Sequence, residues 1–212
     1  MLILSAQRHI KIKDYDYNYV GRLFIPDLCS GHEDTIESGM LHAADNGCFS
    51  GFKEKKFFNM LERLRDADNC LFITAPDVVA DHKETIKLYK QYSSKLREYN
   101  LPIAFVLQDG SNTKNIPLDD IDAVFIGGTT EWKLGKMARE ISYKAKELNK
   151  WIHMGRVNSY KRLNYAISIG VDSVDGMKYS KFSDTFLEDT IDFLRQGKLD
   201  ISGHRIQEAS KG

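Results

Sequence analysis

Short apolar runs of four or five residues recur along the chain, each followed by a polar loop and then by a stretch with helical spacing. This alternation leaves few folds open. Leu71–Thr74, Ile103–Leu107, Ala123–Ile126, Trp151–Met154 and Val171–Val174 read as strands. Most are apolar nearly throughout, whereas a strand with one face in water would alternate with polar residues, so they belong in a parallel sheet covered on both sides. The spacing predicts helices over Lys53–Arg65, Asp81–Tyr99, Trp132–Asn149, Asn158–Ile169 and Asp184–Gln196. In the first of these, Phe57, Phe58, Leu61 and Leu64 fall at the three- and four-residue intervals of a single helix face. His42–Asp45 adds another strand end, and Leu2–Ser5 and Arg22–Pro26 add weaker strands near the N-terminus. Seven or eight strands alternating with helices favour a compact α/β fold of the (β/α)8 barrel type. The competing open, doubly wound sheet normally carries a GxGxxG loop after its first strand, and none is present. A single barrel domain over residues 1–212 is expected.

Charge and cysteine content remove several function classes. Thirty basic residues balance thirty acidic ones, so the net charge is zero. A protein held to nucleic acid by bulk charge would be far more basic, so any such contact needs a local patch. Arg156, Lys161, Arg162, Lys178 and Lys181 are candidates, with Tyr160 and Tyr179 among them for base stacking. Lys53–Lys56 reads as the solvated start of a helix, and Trp132 and Trp151 as packing residues. Cys29, Cys48 and Cys70 form neither a disulfide framework nor a CxxC pair, and the six histidines include no HxH or HxxxH. No metal and no cofactor are expected. The apolar runs fall far short of the roughly 18 residues of a membrane span, and the positive charges near the N-terminus follow the first apolar run instead of preceding it. A soluble, cytoplasmic protein is expected.

In a barrel the chemistry sits on the loops that follow the C-terminal ends of the strands. Those positions are Asp45-Asn46-Gly47, Asp77, Gln108-Asp109-Gly110, Gly127-Gly128, Gly155-Arg156 and Asp172 to Asp175-Gly176. Asp, Asn and Gly are common in any loop, where they cap helices and make turns. Their joint recurrence at strand ends is less ordinary. Converging carboxylates with no histidine base, cysteine nucleophile or metal cluster suit acid–base and nucleophilic work at an acetal-like carbon, as in glycosyl transfer. Nearby amides and backbone groups suit the hydrogen-bonding edge of a purine-like base.

The motifs, in this order, resemble those of the tRNA-guanine transglycosylase superfamily, and more closely its short phage and bacterial relatives that place 7-deazaguanine bases into DNA. AlaAspAsnGlyCysPhe (44–49) resembles the family's Asp-Ser-Gly-Gly-Phe loop, which implies Asp45 as general acid/base, with Asn46 beside it at the base. Asp77 matches a strand-end Asp that recognises the heterocycle. PheValLeuGlnAspGlySer (105–111) resembles Ile-x-Gln-Gly-Ser and implies Gln108 as a base reader. PheIleGlyGlyThr (125–129) resembles Val-Gly-Gly-Leu, whose backbone contacts the base, here at Gly127 and Gly128. HisMetGlyArgValAsn (153–158) is similar to Leu-Met-Gly-Val-Gly, which places Gly155 and Arg156 at the substrate. GlyValAspSerValAspGly (170–176) resembles Gly-Ile-Asp-Met-Phe-Asp-Cys, whose second Asp is the nucleophile and matches Asp175. An Asp-Ser alignment with the DNA-modifying relatives selects Asp172 instead. Asp175 is favoured because it lies nearer the strand's C-terminal end.

The resemblance implies a pentosyltransferase that exchanges guanine in a polynucleotide for a 7-deazaguanine, through a covalent aspartyl-glycosyl intermediate. DNA is the favoured acceptor and tRNA the alternative. The family's zinc-binding Cys-x-Cys-x2-Cys insertion has no counterpart, so a barrel without the zinc subdomain is expected, with a possible protein partner for strand opening, in a bacterial or phage-infected cell. Two other readings stay open. One is a barrel enzyme acting on a phosphorylated small molecule, with Gly127-Gly128 and Gly155-Arg156 as a phosphate site. The other is a non-catalytic barrel subunit that positions nucleic acid.

Overall fold

The computed structural model describes residues 1–6, 16–181 and 184–196. Eight strands pair in sequence order, each parallel to the next: β1 (Leu2–Ser5), β2 (Val20–Phe24), β3 (His42–Ala44), β4 (Cys70–Thr74), β5 (Ile103–Leu107), β6 (Ala123–Ile126), β7 (Trp151–Met154) and β8 (Ser173–Asp175). The last returns to the first, with Leu4 opposite Asp175, and the sheet closes into a barrel. The helices are α1 (His32–Glu37), α2 (Glu54–Leu64), α3 (His82–Arg97), α4 (Thr130–Lys133), α5 (Lys136–Glu147), α6 (Tyr160–Ser168), α7 (Lys178–Lys181) and α8 (Asp184–Gln196). The (β/α)8 barrel expected from the alternation is the observed fold. Among the described residues no helix is long and apolar enough to cross a membrane.

Two apolar layers explain why the strands carry no polar alternation. Ile3, Phe24, Ile73, Phe105, Leu107, Ile126 and Met154 face outward and pack with the helices in one large cluster. The residues between them, among them Leu4, Leu23, Ala43, Phe72, Val106 and Phe125, meet inside the barrel in a second, smaller cluster. The inner layer turns polar toward the C-terminal ends. Two residues beyond Ala43, Phe72, Val106 and Phe125, the inward positions are Asp45, Thr74, Gln108 and Gly127, because successive strand residues alternate faces.

Three elements differ from the sequence reading. The second strand starts at Val20 instead of Arg22, because Ile3 pairs with Val20 and draws Gly21 into the ladder. The stretch expected as one helix over Trp132–Asn149 is α4 and α5, broken where Gly135 takes an extended conformation and Tyr165 claims its carbonyl. β8 begins at Ser173, so Asp172 precedes the strand. The sequence gives no sign of α1, whose only buried residue is Thr35. The side chain of Lys181, named for the basic patch, lies outside the described residues.

Gly21 has no room for a side chain. A Cβ there would lie 2.5 Å from the carbonyl oxygen of Leu41 and 2.9 Å from Leu4. Overpacking against backbone costs about 1–3 kcal/mol, so Gly21→Ala should lower the melting temperature by about 3–10 °C in a circular-dichroism melt.

Candidate active site

The C-terminal ends of the strands surround a pocket of about 270 Å³. Asp45, Asn46, Asp77, Gln108, Gly127, Gly155, Arg156 and Asp175 all line it. Gly128 lies just behind, at φ 66°, where a Cβ would strike the Trp132 ring at 2.8 Å and the Asp109 carboxylate at 2.9 Å. Asp172 is not part of this site. One of its carboxylate oxygens is paired with Lys146, the other accepts the Ile152 N–H at 2.8 Å, and its carbonyl accepts the Leu2 N–H. These partners lie at the start of β1 and β7 and in the last turn of α5, at the closed end of the barrel. The nucleophile alternative at Asp172 is thereby corrected: it lies three residue steps before Asp175, about 10 Å along the chain.

Asn46, Asp77 and Gln108 form one buried network. The Asn46 amide donates to the Ala75 carbonyl and to Asp77 Oδ1, both at 2.7 Å, while its own oxygen accepts the Cys48 N–H. Gln108 Nε2 donates to Asp77 Oδ2 at 2.5 Å, and its Oε1 accepts the N–H groups of Ala80 at 2.8 Å and Gly128 at 2.9 Å. The Gln108 amide orientation is therefore fixed by three groups, leaving one N–H free among the described residues. Burial raises the Asp77 carboxyl above its ordinary range, against the pull of the Asn46 and Gln108 amides. Gly127 donates its N–H to the Leu107 carbonyl, so the N–H groups of both glycines are engaged within the protein. What Gly127 offers is space: a Cβ would lie 2.8 Å from Val106 and 2.9 Å from the Gln108 amide.

Asp175, at the end of β8, is held from two sides. Its Oδ2 lies 2.9 Å from His153 Nε2, and its Oδ1 accepts the Arg156 N–H at 3.2 Å. His153 Nδ1 lies 2.9 Å from Ser173 Oγ, which also accepts the Trp151 indole N–H at 2.9 Å. Ser173 Oγ accepts from Trp151, and with the Ser173 hydroxyl donating to Nδ1 and Nε2–H donating to Asp175 every polar atom of the chain is paired. The sequence reading found no histidine at the carboxylates and took Trp151 as packing alone. Strand alternation was the available signal, since Trp151 and His153 share the inward face of β7. Arg156 adopts φ 60°, which brings its N–H to Asp175, and its guanidinium donates to the Gly128 carbonyl.

Asp45 shares the pocket with Asp77 and Asp175. Burial, then the charges of Asp175 and Asp77, push its carboxyl up to about 7. Lys133, also missed in the sequence, is only 1% exposed; it donates to the Gly155 carbonyl at 2.6 Å, and burial pushes its amine down to about 7. The Cys48 thiol, whose sulfur accepts the Asp77 N–H, is pushed up by burial and by Asp77, so no thiolate nucleophile forms there. Among the described residues no group of three or more histidine, cysteine and carboxylate side chains is placed to hold a metal ion.

Of the two tyrosines expected to stack beside the basic patch, one is buried and the other half-buried. Tyr179 is fully buried against Phe186, and Tyr160 packs on the same ring. Arg162 donates to the Arg156 carbonyl at 3.0 Å and to Thr130. The aromatic group exposed at the pocket mouth is instead Phe49, 76% accessible, with the Arg156 guanidinium 5.5 Å from its ring centre.

Fold and site together define a (β/α)8 barrel with a carboxylate-lined pocket at the C-terminal face. Comparison with protein-family models and with curated proteins gives no match for the chain.

The state of Asp45 has a consequence for stability. Its folded pKa, near 7, lies above the ordinary 3.8, so the folded protein holds this proton more tightly than the unfolded chain. Stability from this group is complete below about pH 4 and is lost as pH rises toward 7. Asp45→Asn removes that dependence. Its advantage over the wild type in melting temperature should grow by several degrees between about pH 4 and 7 and stay level above, in parallel calorimetric melts across pH.

Proposed function

We propose that this protein is a base-exchange glycosyltransferase of the transglycosylase type, replacing guanine in a polynucleotide with a 7-deazaguanine. The observation that carries this reading is the pairing of two unlike carboxylates in one pocket. Asp175 is held as a hydrogen-bond acceptor by His153 and Arg156, while Asp45 keeps its proton up to about pH 7. Environments that separate two carboxylates in this way suit one for attack and the other for proton transfer.

The steps follow from those states. An Asp175 oxygen attacks C1′ of a guanosine; the bond from C1′ to the base breaks, and Asp45 gives its proton to the departing guanine. The incoming base then gives its N9 proton to Asp45 as N9 bonds to C1′, and the ester bond to Asp175 breaks. Two displacements retain configuration at C1′. The remaining hydrogen-bonding capacity of the pocket fits the Watson–Crick edge of guanine. Asp77 accepts from its N–H groups, and the free Gln108 N–H donates to its carbonyl oxygen.

The resemblance of the strand-end motifs supports the same substrate class, with DNA ahead of tRNA, no cofactor, and work in the cytoplasm of a bacterial or phage-infected cell. A pocket of this size takes one base, so a paired base must leave its stack, with a partner protein for strand opening where the target is duplex. A phosphate substrate is a poorer fit. The N–H groups of Gly127, Gly128 and Arg156 are all engaged, and three carboxylates face the same space. A subunit that only positions nucleic acid would have no use for an acid poised near neutrality.

The test is covalent trapping. The wild-type protein incubated with a guanine-containing oligonucleotide should yield a protein–polynucleotide adduct on denaturing gels. Asp175→Asn should bind the oligonucleotide yet lose adduct and exchange by about a thousandfold or more, while Asp172→Asn retains both. An adduct that persists in Asp175→Asn would sink the nucleophile assignment.

A further inference from the structure

Thr74 ends β4 on the inward face of the barrel, lines the pocket, and is 1% exposed. Its hydroxyl has no hydrogen-bond partner among the described residues. An orphaned buried hydroxyl is costly, and groups of this kind are few in folded proteins. The neighbouring polar groups on the pocket wall are, by contrast, densely bonded: Asn46, Asp77 and Gln108 each bond to one another or to the backbone. Thr74 therefore has the character of a ligand contact left open.

The closed strand order shows which part of the ligand it would meet. Resting on the base-exchange reading, a guanine spans the barrel mouth with its Watson–Crick edge at Asp77 and Gln108 and its glycosidic nitrogen toward Asp175. Gln108, just after β5, takes the O6 side and Asp77, after β4, the N1 and N2 side. Continuing around the barrel from β5, position 7 points toward the side-chain-free wall of Gly127 and Gly155, after β6 and β7. The opposite edge, bearing N3, lies over β3 and β4. There Ala44 pairs with Ile73, so the next step of the ladder sets Asp45 beside Thr74.

We infer that the Thr74 hydroxyl donates a hydrogen bond to N3 of the bound base, making Thr74 a substrate-binding residue at the pocket floor. The chemistry of exchange favours this contact. N7 is present in guanine and replaced by carbon in a 7-deazaguanine, whereas N3 is an acceptor common to both. A hydroxyl on N3 therefore grips the outgoing and the incoming base alike, while the glycine wall leaves room for whatever substituent the incoming base carries at position 7. Val106 and Phe125 supply the apolar remainder of the floor.

Calorimetric titration of the full chain with guanine and with 3-deazaguanine, which has C–H in place of N3, separates the alternatives. The wild type should bind guanine about tenfold more tightly than 3-deazaguanine. Thr74→Val, which keeps the shape and removes the hydroxyl, should lose that tenfold for guanine and nothing for 3-deazaguanine. Its melting temperature should equal or exceed the wild-type value, since a buried unpaired hydroxyl has been removed. Thr74→Ser keeps the hydroxyl and should retain the preference within about threefold, a result that tests the contact whether or not the valine variant folds. Equal wild-type affinity for the two bases, or equal losses for both in Thr74→Val, would overturn the N3 contact while leaving base exchange standing. A wild type that binds neither base would instead remove the base-exchange reading, and the Thr74 assignment with it.

Discussion

Two carboxylates that share a partly enclosed pocket cannot both be ionised without cost, and at the mouth of this barrel that cost falls on Asp45. His153 and the Arg156 backbone hold Asp175 as a hydrogen-bond acceptor. Asp45 answers to burial and to the charge of Asp175, both of which favour its proton. The asymmetry is built by the fold more than by local sequence. The donors to Asp175 come from β7 and the turn after it, whereas Asp45 stands across the barrel just after β3.

The supports run deep into the barrel. Ser173 and Trp151 fix the ring of His153 from below, at a level otherwise filled by Leu2, Ala104 and Ala123. Lys133 reaches in from α4 to the Gly155 carbonyl, next to the turn that presents the Arg156 N–H. Each of these polar side chains has a partner, as burial demands. The inner layer thus grades from apolar at the closed end to hydrogen-bonded at the middle and open at the pocket. A (β/α)8 barrel makes this grading easy, because strand residues two apart face the same way and climb the axis in layers.

The fold was legible because both faces of every strand are covered, which turns parallel strands into plain apolar runs. The carboxylates were legible as strand-end residues, and Asp45, Asp77 and Asp175 do meet. Asp172 was a false candidate for a definable reason. It was selected by an Asp-Ser alignment, and a short motif does not show that the ladder begins at Ser173 and leaves Asp172 at the closed end. His153 and Thr74 were harder to see. Each is a single polar residue inside an apolar run, and only the parity of its neighbours shows that it faces inward. Lys133 could not be read from spacing at all, since its burial depends on the break at Gly135 that separates α4 from α5.

The most direct test of the charge assignment is a nuclear magnetic resonance titration of the aspartate side-chain carboxyl carbons. One carboxyl should titrate near pH 7, vanish from the spectrum in Asp45→Asn, and move to lower pH in Asp175→Asn, where the neighbouring charge is gone. If every aspartate instead titrates below about pH 5, or if the high carboxyl is indifferent to Asp175, the two carboxylates are not divided into acid and nucleophile, and the division of labour described here is wrong.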